Sequence, residues 1–207
     1  MAKILTVNSL KGGTGKTTLA LNLYYYYSRL GKRVALADSD PQGSLTELLE
    51  DRDDVPLIPR ANIEDWEDLT GIRDVDLIII DTAPYMLEEL PAIFDISGFI
   101  LIPFTSSALD LLALNSTVEA FYNAQARRPA LRGAVILTRG IHGTLFNKEA
   151  RQAVRGHEMP ILKTAMMQRV DYPRSIADKG AIFATENRKA QREIKQIGAE
   201  ILKLWET

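Results

Sequence analysis

Residues 11–18 read Lys11-Gly12-Gly13-Thr14-Gly15-Lys16-Thr17-Thr18, and their reading decides the fold of the chain. The apolar run Ile4-Leu5-Thr6-Val7 precedes them, and a helical pattern from Thr17 to Leu30 follows. The octet therefore lies on a strand–loop–helix junction, where a phosphate loop must sit. Its glycines let the backbone curl until successive N–H groups point inward at phosphate oxygens. The first turn of the helix adds unpaired N–H groups and the positive end of its dipole. In such a loop Lys16 neutralises the β- and γ-phosphates, and the Thr17 hydroxyl ligates Mg²⁺.

The general pattern G-x-x-x-x-G-K-[ST] asks for glycine at position 10, where this chain has Leu10. A second lysine, Lys11, opens the loop instead, and it cannot easily serve the same phosphates as Lys16 from the same side. The pattern K-G-G-x-G-K-[ST] resembles the deviant Walker A motif of the ParA/MinD family of ATPases. By that resemblance the ligands are ATP and Mg²⁺, and Gly12, Gly13, Thr14, Gly15, Lys16, Thr17 and Thr18 bind the nucleotide. Lys11 is then the signature lysine, which reaches across a nucleotide-sandwich homodimer to the partner's ATP.

Composition narrows the alternatives. At 207 residues the chain is read as one domain, 1–207, long enough for a substantial core. No stretch approaches the ~18–20 apolar residues of a membrane span. The opening Met-Ala-Lys-Ile-Leu-Thr runs straight into a strand, so no signal peptide is expected and the expected compartment is the cytoplasm. Zero cysteines exclude the iron–sulfur cluster that some relatives of this fold carry, along with thiol catalysis and zinc–thiolate sites. A net charge of −2 gives no global attraction to DNA, so nucleic-acid binding needs a local basic patch.

Strand and helix patterns alternate along the chain. Strands are expected near 3–8, 33–38, 76–81, 98–103, 133–138 and 159–163, and helices near 16–30, 43–50, 62–70, 87–95, 107–128, 145–156 and 187–205. Near-continuous apolar strands such as Leu77-Ile78-Ile79-Ile80 suit a parallel sheet covered on both faces. The expected fold is a doubly wound α/β fold, mostly parallel, with helices on both faces. The acidic stretch Glu50–Asp54 is expected as a solvated loop. Tyr24–Tyr27 covers every face of a helix, so some rings should pack and others reach solvent. His142 and His157 receive no role.

Ligands in this fold bind at the carboxyl ends of strands. The second strand ends in Asp38-Ser39-Asp40-Pro41-Gln42, where two carboxylates spaced by two emerge on one side of an extended chain. The segment matches the family's D-x-D-P-Q, which implies that Asp38 holds the Mg²⁺ shell and Asp40 orients the attacking water. A turn capping the next helix explains the same residues, and the two readings coexist. Ile80-Asp81-Thr82-Ala83-Pro84 follows a Walker B pattern; Asp81 is expected in the Mg²⁺ shell, and the turn after it as a γ-phosphate switch. Thr105 to Asp110 resembles by position the family loop near the dimer face. Relatives contact adenine at the edge where Thr138 and Arg139 stand; a plain surface arginine also explains Arg139.

Family members use ATP as a timer: the nucleotide bridges two subunits, the pair binds a surface, and a partner triggers hydrolysis and release. Non-specific DNA is the expected surface, with Arg169 and Arg174 favoured and Arg188 and Lys189 on the terminal helix as further candidates. Glu186, Glu193 and Glu200 interleave on that helix, so a merely solvated face competes with the DNA reading. A membrane surface is not expected, because Ile194, Ile197, Ile201 and Leu204 read as a stripe packed on the sheet. The chain resembles small partition ATPases without a helix-turn-helix domain, which act through a ParB-like adaptor and associate with the nucleoid. Plasmid or chromosomal DNA, or a protein assembly such as a carboxysome or chemoreceptor cluster, remain alternative cargoes. A small-molecule ligase on the same scaffold is a further alternative.

Overall fold

The computed structural model describes residues 1–84, 88–105, 107–141 and 158–207, without the side chains of 108–111. The strands are β1 (Lys3–Val7), β2 (Val34–Asp38), β3 (Leu57–Ile58), β4 (Leu77–Asp81), β5 (Phe99–Phe104), β6 (Arg132–Gly140) and β7 (Met166–Met167). The α-helices are α1 (Lys16–Arg29), α2 (Ser44–Leu48), α3 (Leu90–Ile96), α4 (Ala108–Arg127), α5 (Asp171–Ser175) and α6 (Arg188–Trp205). The strands form one sheet in the order β3-β2-β4-β1-β5-β6-β7, and each neighbouring pair is parallel.

Alternation along the inner strands divides the core in two. Leu5, Val7, Leu36, Ile79 and Ile136 face α1 and α6, while Ile4, Ala35, Ile78, Ile80 and Val135 face α3 and α4. The stripe on α6 packs as its spacing predicts: Ile194, Ile197 and Ile201 are buried, and Trp205 stacks near Phe99 at 5.6 Å. Three of the four tyrosines are buried, and only Tyr26 is half-exposed. Tyr27 donates to the Gly198 carbonyl at 3.1 Å, and the Tyr26 ring lies so close that a Cβ on Gly198 would meet it at 2.3 Å.

In the acidic stretch Glu50, Asp51 and Asp53 are exposed as expected, but Asp54 departs from expectation. Asp54 is not solvated: Arg52 and the Tyr25 hydroxyl bind its carboxylate at 2.7 and 2.8 Å, and its pKa falls to about 2, chiefly through the Arg52 hydrogen bond. The region 62–70 forms two short 3₁₀ turns, Arg60–Asn62 and Trp66–Gly71, the second started by a capping box between Asp65 and Asp68. Within 159–163 the ladder reduces to a single bridge, Val135 to Ile161, and the edge strand forms instead at β7. The helix expected at 145–156 and both histidines lie outside the described residues.

Gly198→Ala should destabilise the protein by about 1–3 kcal/mol, because the half-buried ring of Tyr26, packed against Gly198, must move. Chemical denaturation measures this, and adding Tyr26→Ala should recover part of the loss by vacating the space.

Candidate nucleotide site

Register builds the site. β4 lies between β2 and β1, and its last residue, Asp81, is level with Asp38 on one side and Val7 on the other. The loop 8–15 therefore leaves β1 directly beside two carboxylates. Gly13 (φ +78°) and Gly15 (φ +86°) take left-handed conformations that curl the loop. Gly15 caps α1 without any side-chain hydrogen bond, so no capping side chain occupies the N–H groups of the first turn. A cleft of about 340 Å³ results, lined among others by Gly13, Lys16, Thr17, Asp40, Asp81 and Arg139.

The charges in this cleft strain one another. Lys16 is buried and donates from Nζ to the Lys11 carbonyl at 3.0 Å. Burial pushes its pKa down, and the nearby Asp81 and Asp40 carboxylates oppose that shift. Burial raises the Asp81 pKa to about 7, against the Thr17 hydrogen bond and the Lys16 charge. One oxygen of this buried carboxylate, Oδ1, has no hydrogen-bond partner. A hydroxyl bonded to a carboxylate with an idle oxygen is a donor set that suits a hard cation such as Mg²⁺, which takes few protein ligands. Thr17 and Asp81 thus fit the metal expected there.

Asp38 and Asp40 differ in surroundings. Asp38 is buried; its Oδ1 accepts the Asp40 N–H at 3.0 Å, and its Oδ2 accepts both the N–H and the hydroxyl of Thr46 at 2.9 Å. It ties the end of β2 to the start of α2, which is the capping reading of this segment. Asp40 is half-exposed at the cleft rim and accepts the Gln42 N–H at 2.9 Å.

Thr138 sits differently from its expected adenine contact. It is fully buried, with its hydroxyl 2.7 Å from the Thr14 carbonyl and 3.1 Å from that of Phe104. It braces the phosphate loop from beneath and offers no surface to a base. Arg139 lines the cleft, and Lys11 is half-buried at the loop's opening. Of the loop after β5, Ser106 and the side chains of 108–110 lie outside the described residues.

Polar residues that the motif reading missed join the strand ends. Asn8 is buried and donates to the Thr82 hydroxyl at 2.9 Å, which contacts the Val7 carbonyl at 3.1 Å. The Ser39 hydroxyl accepts the Ala83 N–H at 3.2 Å. These bonds link the phosphate loop, the D-x-D segment and the turn after β4. Their available signal was position: polar residues at the carboxyl ends of interior strands.

The basic candidates separate. Arg169 is not presented to solvent as a free cation; Glu193 binds its guanidinium, and Tyr172 donates to the same carboxylate at 3.1 Å. Arg174, Arg188 and Lys189 are exposed. Glu200 accepts the N–H groups of Lys163 and Thr164 at 2.6 and 3.0 Å. Two of the three acids expected to neutralise α6 thus serve internal contacts, and Arg188, Arg192 and Lys195 form an exposed stripe at helical spacing.

The model of the CobQ/CobB/MinD/ParA nucleotide-binding domain matches residues 5–182. The chain belongs to this family. The maintenance of carboxysome distribution protein A of Halothiobacillus neapolitanus is 28% identical over 207 residues, covering 96% of this chain and 95% of that protein. A plasmid partition protein of Borrelia burgdorferi superposes with a TM-score of 0.72 at 22% identity, covering 98% of each chain. The cobyrinic acid a,c-diamide synthase of Mycobacterium smegmatis, solved with an ATP analogue and magnesium, superposes at 0.77 with 19% identity, covering 100% of this chain and 96% of that one. These two likenesses show a shared fold. No helix among the described residues of this ParA/MinD relative is long and apolar enough to cross a membrane.

A raised carboxyl pKa means that folded Asp81 holds its proton more tightly than the unfolded chain does. Metal-free wild type should therefore lose stability relative to Asp81→Asn as pH rises from about 4 to about 7. Thermal melts in chelator should show the gap growing to the order of 2–4 kcal/mol by pH 8. A gap independent of pH would contradict the burial argument.

Proposed function

We propose that this chain is a Mg²⁺-dependent ATPase of the ParA type, which pairs on ATP and in that state binds DNA without sequence preference. The observation that carries the reading is the convergence of Lys16, Thr17, Asp40 and Asp81 on one cleft beside a loop opened by Lys11. Bound Mg²⁺ would neutralise phosphate charge, held through Thr17 and Asp81 with Asp38 fixing the strand end beside them. The loop N–H groups and Lys16 bind the phosphates, and Asp40 orients the attacking water. Lys11 supplies its charge to the partner's nucleotide, so hydrolysis depends on pairing. Leu112, Ile141 and Val170 are exposed large apolar residues near the carboxyl edge of the sheet, a distribution that suits a face covered in a homodimer.

The DNA surface in this reading is Arg174 with the α6 stripe begun by Arg188 and Lys189; Arg169 positions α6 through Glu193 rather than touching phosphate. Association with the nucleoid would follow. The pair acts through an adaptor of ParB type or its equivalent, which stimulates hydrolysis and release. Segregation of plasmid or chromosomal DNA is one cargo reading. End-to-end similarity to a carboxysome distribution protein supports a second, the positioning of a protein assembly over the nucleoid. A neighbouring gene for a DNA-binding adaptor would favour the first, and microcompartment genes the second.

Anisotropy of a random-sequence duplex tests the surface. Binding is expected with Mg²⁺-ATP, not with ADP, and should weaken steeply with salt. Asp40→Ala should slow hydrolysis by about 10²-fold or more while DNA binding persists. Equal binding in every nucleotide state, or normal hydrolysis by Asp40→Ala, would refute the corresponding assignment.

A further inference from the structure

The end of β6 is irregular. Its pairing with β7 slips between Thr138 and Gly140, and the residue in the slip, Arg139, has φ +51°. The left-handed region is costly for a residue with a side chain, and such strain persists only where the surroundings enforce it. Here they do. On one side Thr138 is anchored beneath the phosphate loop at the Thr14 carbonyl, and on the other the Gln168 N–H bonds the Gly140 carbonyl at 2.8 Å.

A bulge re-aims the side chain that it carries. The guanidinium of Arg139 reaches the phosphate loop, with Nη1 4.0 Å from where a Cβ on Gly13 would stand. It lines the cleft that holds Lys16, Thr17 and Asp81. Arg33, Arg60 and Arg127 each pair with a carboxylate, whereas no hydrogen bond or ion pair holds Arg139 among the described residues. A strained backbone thus presents an unpaired arginine to the glycine-rich loop and the cleft beneath it. The planar fork of arginine matches phosphate oxygens bidentately.

We infer that Arg139 is a phosphate-contacting residue, a second cation delivered in cis onto the polyphosphate of the bound nucleotide. This rests on the nucleotide reading and moves Arg139 from the base to the phosphate end. Its role is separate from that of Lys11, because it operates within a single subunit.

Calorimetric titration of the full chain with Mg²⁺-ATP and with Mg²⁺-tripolyphosphate, which has no base, tests the inference. Arg139→Ala should weaken both ligands about tenfold, the loss of one charge-assisted contact. Arg139→Lys should recover part of the loss. Arg139→Gly suits the left-handed turn and should show the alanine defect without loss of thermal stability. Weakened ATP with unchanged tripolyphosphate would make Arg139 a base contact and overturn the inference, as would unchanged binding of both. Failure of the wild type to bind either ligand would remove the nucleotide reading itself, and this inference with it.

Discussion

Parallel pairing of β4 between β2 and β1 is the constraint on which the rest depends. It sets Asp81 level with Asp38 and with the last residue before the phosphate loop. A slip of one residue would turn each of these side chains to the opposite face of the sheet. The apolar contacts on both faces fix that register, since Ile78 and Ile80 serve one core while Leu77 and Ile79 serve the other. The energy that holds the site together thus comes mostly from residues that never touch it.

The site itself works against stability. Lys16 and Asp81 are buried charges whose pKa values move toward neutrality, and Asp81 keeps an unsatisfied oxygen. Groups left in this condition are relieved by a ligand that brings opposite charge, as a metal and a polyphosphate do together. The same loop touches the opposite edge of the sheet. A Cβ on Gly15 would meet Met166 at 3.0 Å, and the next residue, Met167, donates its N–H to Glu193 of α6 at 3.3 Å. A short chain of packed contacts therefore joins the phosphate loop to the helix that carries the basic stripe.

Much of this was legible before any coordinates. The long apolar strands and the helices at 16–30, 107–128 and 187–205 announce themselves because burial on both faces, or on one stripe, leaves a periodic record. β3 and β7 escaped because two residues carry no period. The segment 62–70 is not one helix because Ile63 and Asp65 take extended backbone and divide it into two short 3₁₀ turns, which leave no long helical period. Among site residues, the loop and the carboxylates follow from local spacing. Thr138 and Arg169 do not, because their partners, Thr14 and Glu193, are distant in sequence and only the fold brings them near.

The central claim is that this cleft is half of a nucleotide site completed by a second copy, through Lys11. Sedimentation velocity with Mg²⁺ and a non-hydrolysable ATP analogue measures it most directly. The account predicts a dimer with the analogue, a monomer with ADP or no nucleotide, and a monomer throughout for Lys11→Ala and Lys16→Ala. A wild type whose mass is the same in all nucleotide states would contradict it.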